Sequence, residues 1–209
     1  MPDDDEADGP VGGARIGVFG GTFDPPHVGH LIAACEVGEV LRLDRVLLVV
    51  AHRPWQKVGS RPITDATLRL AMVEAATEGL ARIESSDLEI RRGGDSYTAD
   101  TLADLRAAQP GAEYSVILGT DAAAQIDTWG RVDEVFASAT VVAYERAGAQ
   151  DSPVPELRDD ISIVRVPRFE VSSTDVRARV AAGRRIDVLC PPGVIEIIED
   201  HGLYRVGDP

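Results

Sequence analysis

The sequence predicts an α/β domain: a doubly wound, Rossmann-like parallel sheet with a small C-terminal helical subregion. Three observations carry this. Short apolar segments alternate with stretches whose apolar residues recur at helical spacing. Two of the short segments, "RVLLVV" and "EYSVILG", are apolar almost without a break, as strands covered on both faces are. The first strand runs into a Gly-rich turn and then a helix, the opening of a βαβ unit.

Each element follows from its own pattern. "RIGVFG" from Arg15 is a short apolar strand, and "VGHLIAACEVGEVLRL" from Val28 has helical periodicity. Residues 45–51, "RVLLVVA", form a buried strand. "TDATLRLAMVEAATEG" reads as a helix with Thr64 as its N-cap and Gly79 as its stop. Residues 81–90, "ARIESSDLEI", read as a strand, and "SYTADTLADLRAAQP" as a helix ended by Pro110. Residues 113–119 and 140–145 are strands, 147–160 a polar, Pro-containing loop, and "ISIVRVP" a late strand. The remainder, about 172–204, holds two helical stretches divided by Pro191 and Pro192. Right-handed crossovers between parallel strands then place a ligand crevice at their carboxyl ends.

With 209 residues, 44% of them hydrophobic, the chain suits one domain over residues 15–204 and is cramped for two. Five acids crowd the first eight residues, and a Gly-Pro-Val-Gly-Gly run follows, so residues 1–13 read as a disordered acidic tail. The net charge of −14 argues against a nucleic-acid binder while leaving room for a small anion held by local cations. No apolar run approaches the roughly 20 residues that cross a bilayer. The acidic start is unlike a signal peptide, so a cytoplasmic protein without a membrane partner is expected. Cys35 and Cys190 lack neighbouring ligands at metal spacing and read as free buried thiols.

The chemistry concentrates in "GVFGGTFDPPHVGH". Gly20 and Gly21 lack a Cβ, so backbone can pass close to a ligand there and positive φ is open to it. Pro25 and Pro26 stiffen the turn, and the helix behind them offers N–H groups and a positive dipole end to a phosphate. His27 and His30 lie on one face of that helix start and can hydrogen-bond phosphoryl oxygens. A zinc pair is the weaker reading, because only Asp24 or His52 suggests a third ligand, and no metal ligand is assigned. The spacing G-x-G-x-x-G is missing, which disfavours hydride transfer on a dinucleotide.

"GGTFDPPHVGH" resembles the first signature of the nucleotidyltransferase superfamily, and "VSSTDVR" from Val171 resembles its second, in the right order. "SYTADTL", "LGTDAAAQIDTW" and "PPGVIEIIEDHGLY" are similar to segments of the bacterial nicotinate mononucleotide adenylyltransferases, and "HRPWQK" to the substrate loop of their actinobacterial members. The resemblance implies transfer of AMP from ATP to nicotinate mononucleotide, releasing pyrophosphate, with Mg²⁺ accompanying ATP. The amidated mononucleotide or pantetheine phosphate is the alternative acceptor, and a catalytically silent nucleotide-binding regulatory module the non-enzymatic alternative. A homo-oligomer is left open.

The resemblance also implies roles. Gly20, Gly21, Thr22 and Phe23 would line the ATP path with Asp24 beside them; His27, His30 and Arg177 would act on the reacting phosphates; Ser173 and Thr174 would close on the triphosphate from the other side. Gly119 and Asp121 would hold ribose hydroxyls. Thr98 and Trp129 would hold the pyridine ring, and Lys57 and Arg146 would pair with anionic groups.

Overall fold

A computed structural model describes residues 13–54, 62–146 and 157–205. Almost all of the acidic leader, residues 147–156 of the polar loop, and Lys57 therefore lie outside the described residues. The strands are β1 (Arg15–Gly21), β2 (Arg45–Val50), β3 (Ile83–Ser86), β4 (Glu113–Gly119), β5 (Thr140–Arg146) and β6 (Ile161–Val166). The principal helices are α1 (Val28–Val40), α2 (Ala66–Thr77), α4 (Thr98–Ala108), α7 (Ser173–Ala181) and α8 (Pro192–Asp200), with the short α3 (Leu88–Arg92), α5 (Thr120–Ala123) and α6 (Val132–Ser138) between strands.

One six-stranded sheet of order β3-β2-β1-β4-β5-β6 results, parallel at every pairing, as the sequence predicts. The winding reverses between β1 and β4, the place where such sheets open a crevice. The register shows how it opens. β1 and β4 pair from Arg15↔Glu113 to Val18↔Val116 and no further. Beyond that point β1 follows β2 as far as Gly21↔Val50, while β4 follows β5 to Gly119↔Tyr144. The two central strands thus part at their carboxyl ends, and the site lies in the gap.

The unbroken apolar strands serve two cores, because alternate side chains point to opposite faces. Ile16, Val18, Val116, Leu118 and Val141 pack on one face with Leu102 of α4 and Val135 of α6. Phe19, Leu48, Val50, Ile117 and Val142 pack on the other with Ala33 and Val37 of α1 and Val73 of α2. Each such side chain contributes about 1.5–3 kcal/mol when fully buried. A third cluster seats the C-terminal helices on α2 through Met72, Ala76, Val176, Val194 and Ile198. Among the described residues no helix is long and apolar enough to cross a membrane.

Three local expectations are corrected. The strand read over 81–90 stops at Ser86, and a helical turn takes over. Ser86 Oγ accepts from the Leu88 amide, Asp87 pairs with Arg91 one turn on at 3.0 Å, and Gly93 ends the turn at φ +72°. The N-cap of α2 is Asp65, whose carboxylate accepts from the Thr67 amide at 2.8 Å, in place of Thr64. Cys35 is exposed on α1, whereas Cys190 is buried and its thiol is pushed up to about 12 by that burial. Finally, the connection from β4 to β5 is built from short helical turns that the sequence reading left unassigned.

Candidate functional site

The Gly-rich turn behaves differently from the expectation drawn for it. Neither Gly20 nor Gly21 has a positive φ; Phe23 takes the left-handed conformation instead, at +48°. A Cβ on Gly20 would meet nothing within 4 Å, so this glycine leaves open space at the strand exit. A Cβ on Gly21 would lie 2.7 Å from the Phe23 ring, so this one lets the aromatic fold back over the strand. Buried Phe23 then stacks edge-on against Phe19 and His30, with centroids 5.9 and 5.0 Å away. The Asp24–Pro25 peptide is cis.

The C-terminal region holds this turn carbonyl by carbonyl. Arg177 Nη1 donates to Asp24 O at 2.7 Å, Ser173 Oγ to Pro25 O at 2.8 Å and Cys190 Sγ to Pro26 O at 3.5 Å. The Val28 amide donates to Leu189 O at 2.9 Å, so this first-turn amide of α1 is taken by protein and is not left open as expected. Asp24 is 1% exposed, and its carboxylate accepts from Tyr204 Oη at 2.6 Å and from the Thr64 amide at 3.5 Å. Burial and the facing carboxylate together push the Tyr204 phenol far above its usual range, so it stays a donor.

His27 is the N-cap of α1 and His30 the third residue of its first turn. The His27 amide donates to His30 Nδ1 at 3.1 Å, and the two rings stack with centroids 3.8 Å apart. A neutral His30 ring accepting at Nδ1 carries its proton on Nε2, which leaves that atom as the donor. The expected pair of helix-face histidines is therefore a pre-oriented unit.

Opposite stands α7. Ser172 is its N-cap and accepts from the Asp175 amide at 3.1 Å. Arg177, one turn along, also donates through Nη2 to Thr174 Oγ1 at 3.1 Å. The β1 turn and the α7 start line one cavity of about 630 Å³. Gly20, Gly21, Thr22, Phe23, Asp24, His27, His30, Gly119, Asp121, Ser173, Thr174 and Arg177 all reach it, as do Tyr144 and Phe169, which sequence reasoning missed. A Cβ on Gly29 would come within 2.7 Å of the Phe169 ring, so the motif's third glycine admits this aromatic wall.

A smaller cavity of about 250 Å³ adjoins the first across Gly20, Gly21, Thr22, Leu118 and Ala122. It is lined by Thr98 and Trp129, and beside them by Glu89, Ser96, Tyr97 and Thr101. Arg146 ends β5, the strand beside β4, with its side chain outside the described set; the side chain of His52 is turned to Gly94 O, 2.9 Å away.

A further residue without a sequence signal is Arg69. It is 1% exposed on α2 and donates to three carbonyls: Nη1 to Thr22 O at 2.8 Å, Nε to Thr64 O at 2.8 Å and Nη2 to His52 O at 3.2 Å. One guanidinium thus ties the phosphate turn to both ends of the segment between His52 and Thr64. The nearest available hint was an arginine inside an otherwise apolar helical face.

Comparisons with known proteins fall on the same features. Residues 18–179 match the family described as cytidylyltransferase-like. A probable nicotinate-nucleotide adenylyltransferase of Saccharopolyspora erythraea is 44% identical over 93% of this chain and 91% of its own length. One from Streptomyces coelicolor is 44% identical over 90% of this chain and 99% of its own length. Among solved structures, the nicotinic acid mononucleotide adenylyltransferase of Plasmodium falciparum complexed with NaAD has a TM-score of 0.72 at 18% identity. It is matched over 91% of this chain and 97% of that one, a likeness of fold.

Proposed function

This chain belongs to the cytidylyltransferase-like family, and on that premise we infer that it is an adenylyltransferase of NAD biosynthesis, joining AMP from ATP to nicotinate mononucleotide. The observation that carries the reading is the pair of facing walls, the turn after β1 and the start of α7, on one cavity with a second cavity beside it. ATP takes the larger space, its phosphates between the two walls. The mononucleotide takes the smaller one, its ring against Trp129 and beside Thr98. Both open over Gly20 and Gly21, where the acceptor phosphate meets the α-phosphate of ATP.

In the displacement an oxygen of the acceptor's 5′-phosphate attacks the α-phosphorus, and the bond to the bridging oxygen breaks to release pyrophosphate. The nucleophile is already anionic near neutral pH, so the protein supplies position and charge compensation. His30 donates from Nε2 to a non-bridging oxygen, with His27 stacked behind it. Arg177, anchored by Asp24 O and Thr174, meets the triphosphate together with the positive end of α7. Arg177 and the positive end of α7 are the local positive charge that a chain of net charge −14 offers the triphosphate. Gly119 at the end of β4 and Asp121 in α5 hold ribose hydroxyls, and Lys57 and Arg146 are assigned to anionic groups of the substrates.

Among the described residues no three His, Cys, Asp or Glu side chains form a metal-holding group, and the Asp24 carboxylate is occupied by Tyr204. Mg²⁺ would therefore reach the site on the triphosphate rather than on these side chains. Bound so, the ion supplies charge neutralisation on the triphosphate and the departing pyrophosphate.

Pyrophosphate release with ATP and each of three acceptors, with and without Mg²⁺, tests the reading. Turnover is expected with nicotinate mononucleotide and to collapse on chelation. Faster turnover with the amidated mononucleotide or with pantetheine phosphate reassigns the acceptor; no release with any of them leaves a binding module. Trp129→Ala is expected to raise KM for the mononucleotide by about tenfold, in line with the value of an aromatic stack, and KM for ATP far less. Equal shifts for both substrates would remove the stacking role.

A further inference from the structure

Tyr144 lies on β5 beside Gly119, the last residue of β4, with which it pairs in register. Its side chain turns to the face of the sheet that carries Phe19 and Val142. From there the ring leans across the end of β4: a Cβ on Gly119 would lie 3.3 Å from Tyr144 Oη and 3.4 Å from Cζ. On the far side the ring meets Phe19 of β1 edge-on, with centroids 5.8 Å apart, and Phe19 meets His30 at 6.0 Å. The phenol thus spans the gap in which β1 and β4 part. It is half-buried and lines the larger cavity together with Gly119, Asp121 and His30.

Packing accounts for the ring and leaves the hydroxyl to be explained. Apolar contact with Phe19 needs only an aromatic body, whereas a hydroxyl on a cavity wall is a group that a ligand can meet. Gly119 has no side chain to offer a ligand; its missing Cβ is the clearance that lets the phenol lie over the strand end. Asp121 brings an exposed carboxylate to the same cavity, an acceptor only. The phenol donates as well as accepts, so the two side chains together match the hydroxyls of a sugar, each of which is donor and acceptor at once. We propose that Tyr144 Oη is a specificity contact for the ribose of ATP, working with Asp121 beyond the end of β4; this rests on the function inferred above.

Tyr144→Phe keeps the ring and removes only Oη. The Kd for ATP, measured by calorimetry with Mg²⁺ and without acceptor, is expected to rise about tenfold, the value of one net hydrogen bond, while the ligand-free melting temperature and KM for nicotinate mononucleotide stay at wild-type values. Sugar analogues carry the decisive comparison. Either 2′-deoxy-ATP or 3′-deoxy-ATP is expected to bind the wild type about tenfold more weakly than ATP does, and against that analogue Tyr144→Phe makes no further difference, because both changes remove the same bond. An unchanged Kd for ATP overturns the proposal. A loss that persists in full against both analogues also overturns it and moves the hydroxyl's partner to the phosphates or the base. A lowered melting temperature with both substrates weakened overturns it too and makes the hydroxyl structural. Failure of the proposed function is read separately: wild type that binds ATP but releases no pyrophosphate with nicotinate mononucleotide overturns that reading, and the Kd comparison still decides on Tyr144.

Discussion

Replacing His30 with alanine is expected to lower kcat by about 10²–10³ while leaving the fold intact, the usual loss when one preorganised donor to a developing charge is removed. The reason is the fixed direction of the ring. The His27 amide occupies Nδ1, and the Phe23 and His27 ring centroids lie 5.0 and 3.8 Å from that of His30, so Nε2 has one orientation before substrate arrives. Alanine also leaves the His27 amide without its acceptor at the start of α1, a stability loss of about 1 kcal/mol, comparable to losing a cap. Steady-state turnover measured beside a thermal melt separates the two effects. Near-normal kcat in a folded His30→Ala protein would move the transition-state donor elsewhere in the cavity.

The largest expected effect on stability belongs to Arg69. Arg69→Met keeps the bulk of the side chain and removes the donors to Thr22 O, Thr64 O and His52 O. Net hydrogen bonds are worth about 1 kcal/mol each, so a loss of about 3 kcal/mol is expected. For a domain of this size that lowers the melting temperature by roughly 6–12 °C. Because the same guanidinium ties the phosphate turn to both ends of the segment from His52 to Thr64, KM for both substrates rises together. A melting temperature within a degree of wild type would show that those carbonyls find other donors.

What the sequence disclosed, and what it did not, divides along physical lines. The parallel sheet was legible because strands such as Val46–Val50 must be apolar on both faces, a pattern that two-sided burial imposes and little else does. The two walls of the larger cavity were legible because a glycine at a strand exit, a histidine in a first helical turn and a serine at an N-cap each sit where local backbone geometry demands them. Ser86 gave way to a helical turn because the Asp87–Arg91 pair and Gly93 outweigh the strand propensity of Ile90, a competition decided by partners four residues away. Arg69 and Tyr204 were illegible for a different reason. Each acts through a group far off in the chain, with Tyr204 and Asp24 separated by 180 residues, and no local pattern records such a pairing. The glycines misled in one respect: the left-handed residue of the turn is Phe23, which the aromatic contacts around it hold in place.

The grip of the C-terminal region on Asp24, Pro25 and Pro26 sets an order on biosynthesis. The turn is translated 148 residues before Ser173 and its carboxylate 180 residues before Tyr204, so its carbonyls and carboxylate meet their partners only once those residues follow. Without Ser173, Arg177, Cys190 and Tyr204 the turn lacks these partners. The turn and its C-terminal partners therefore make one unit whose halves are joined only in the folded domain.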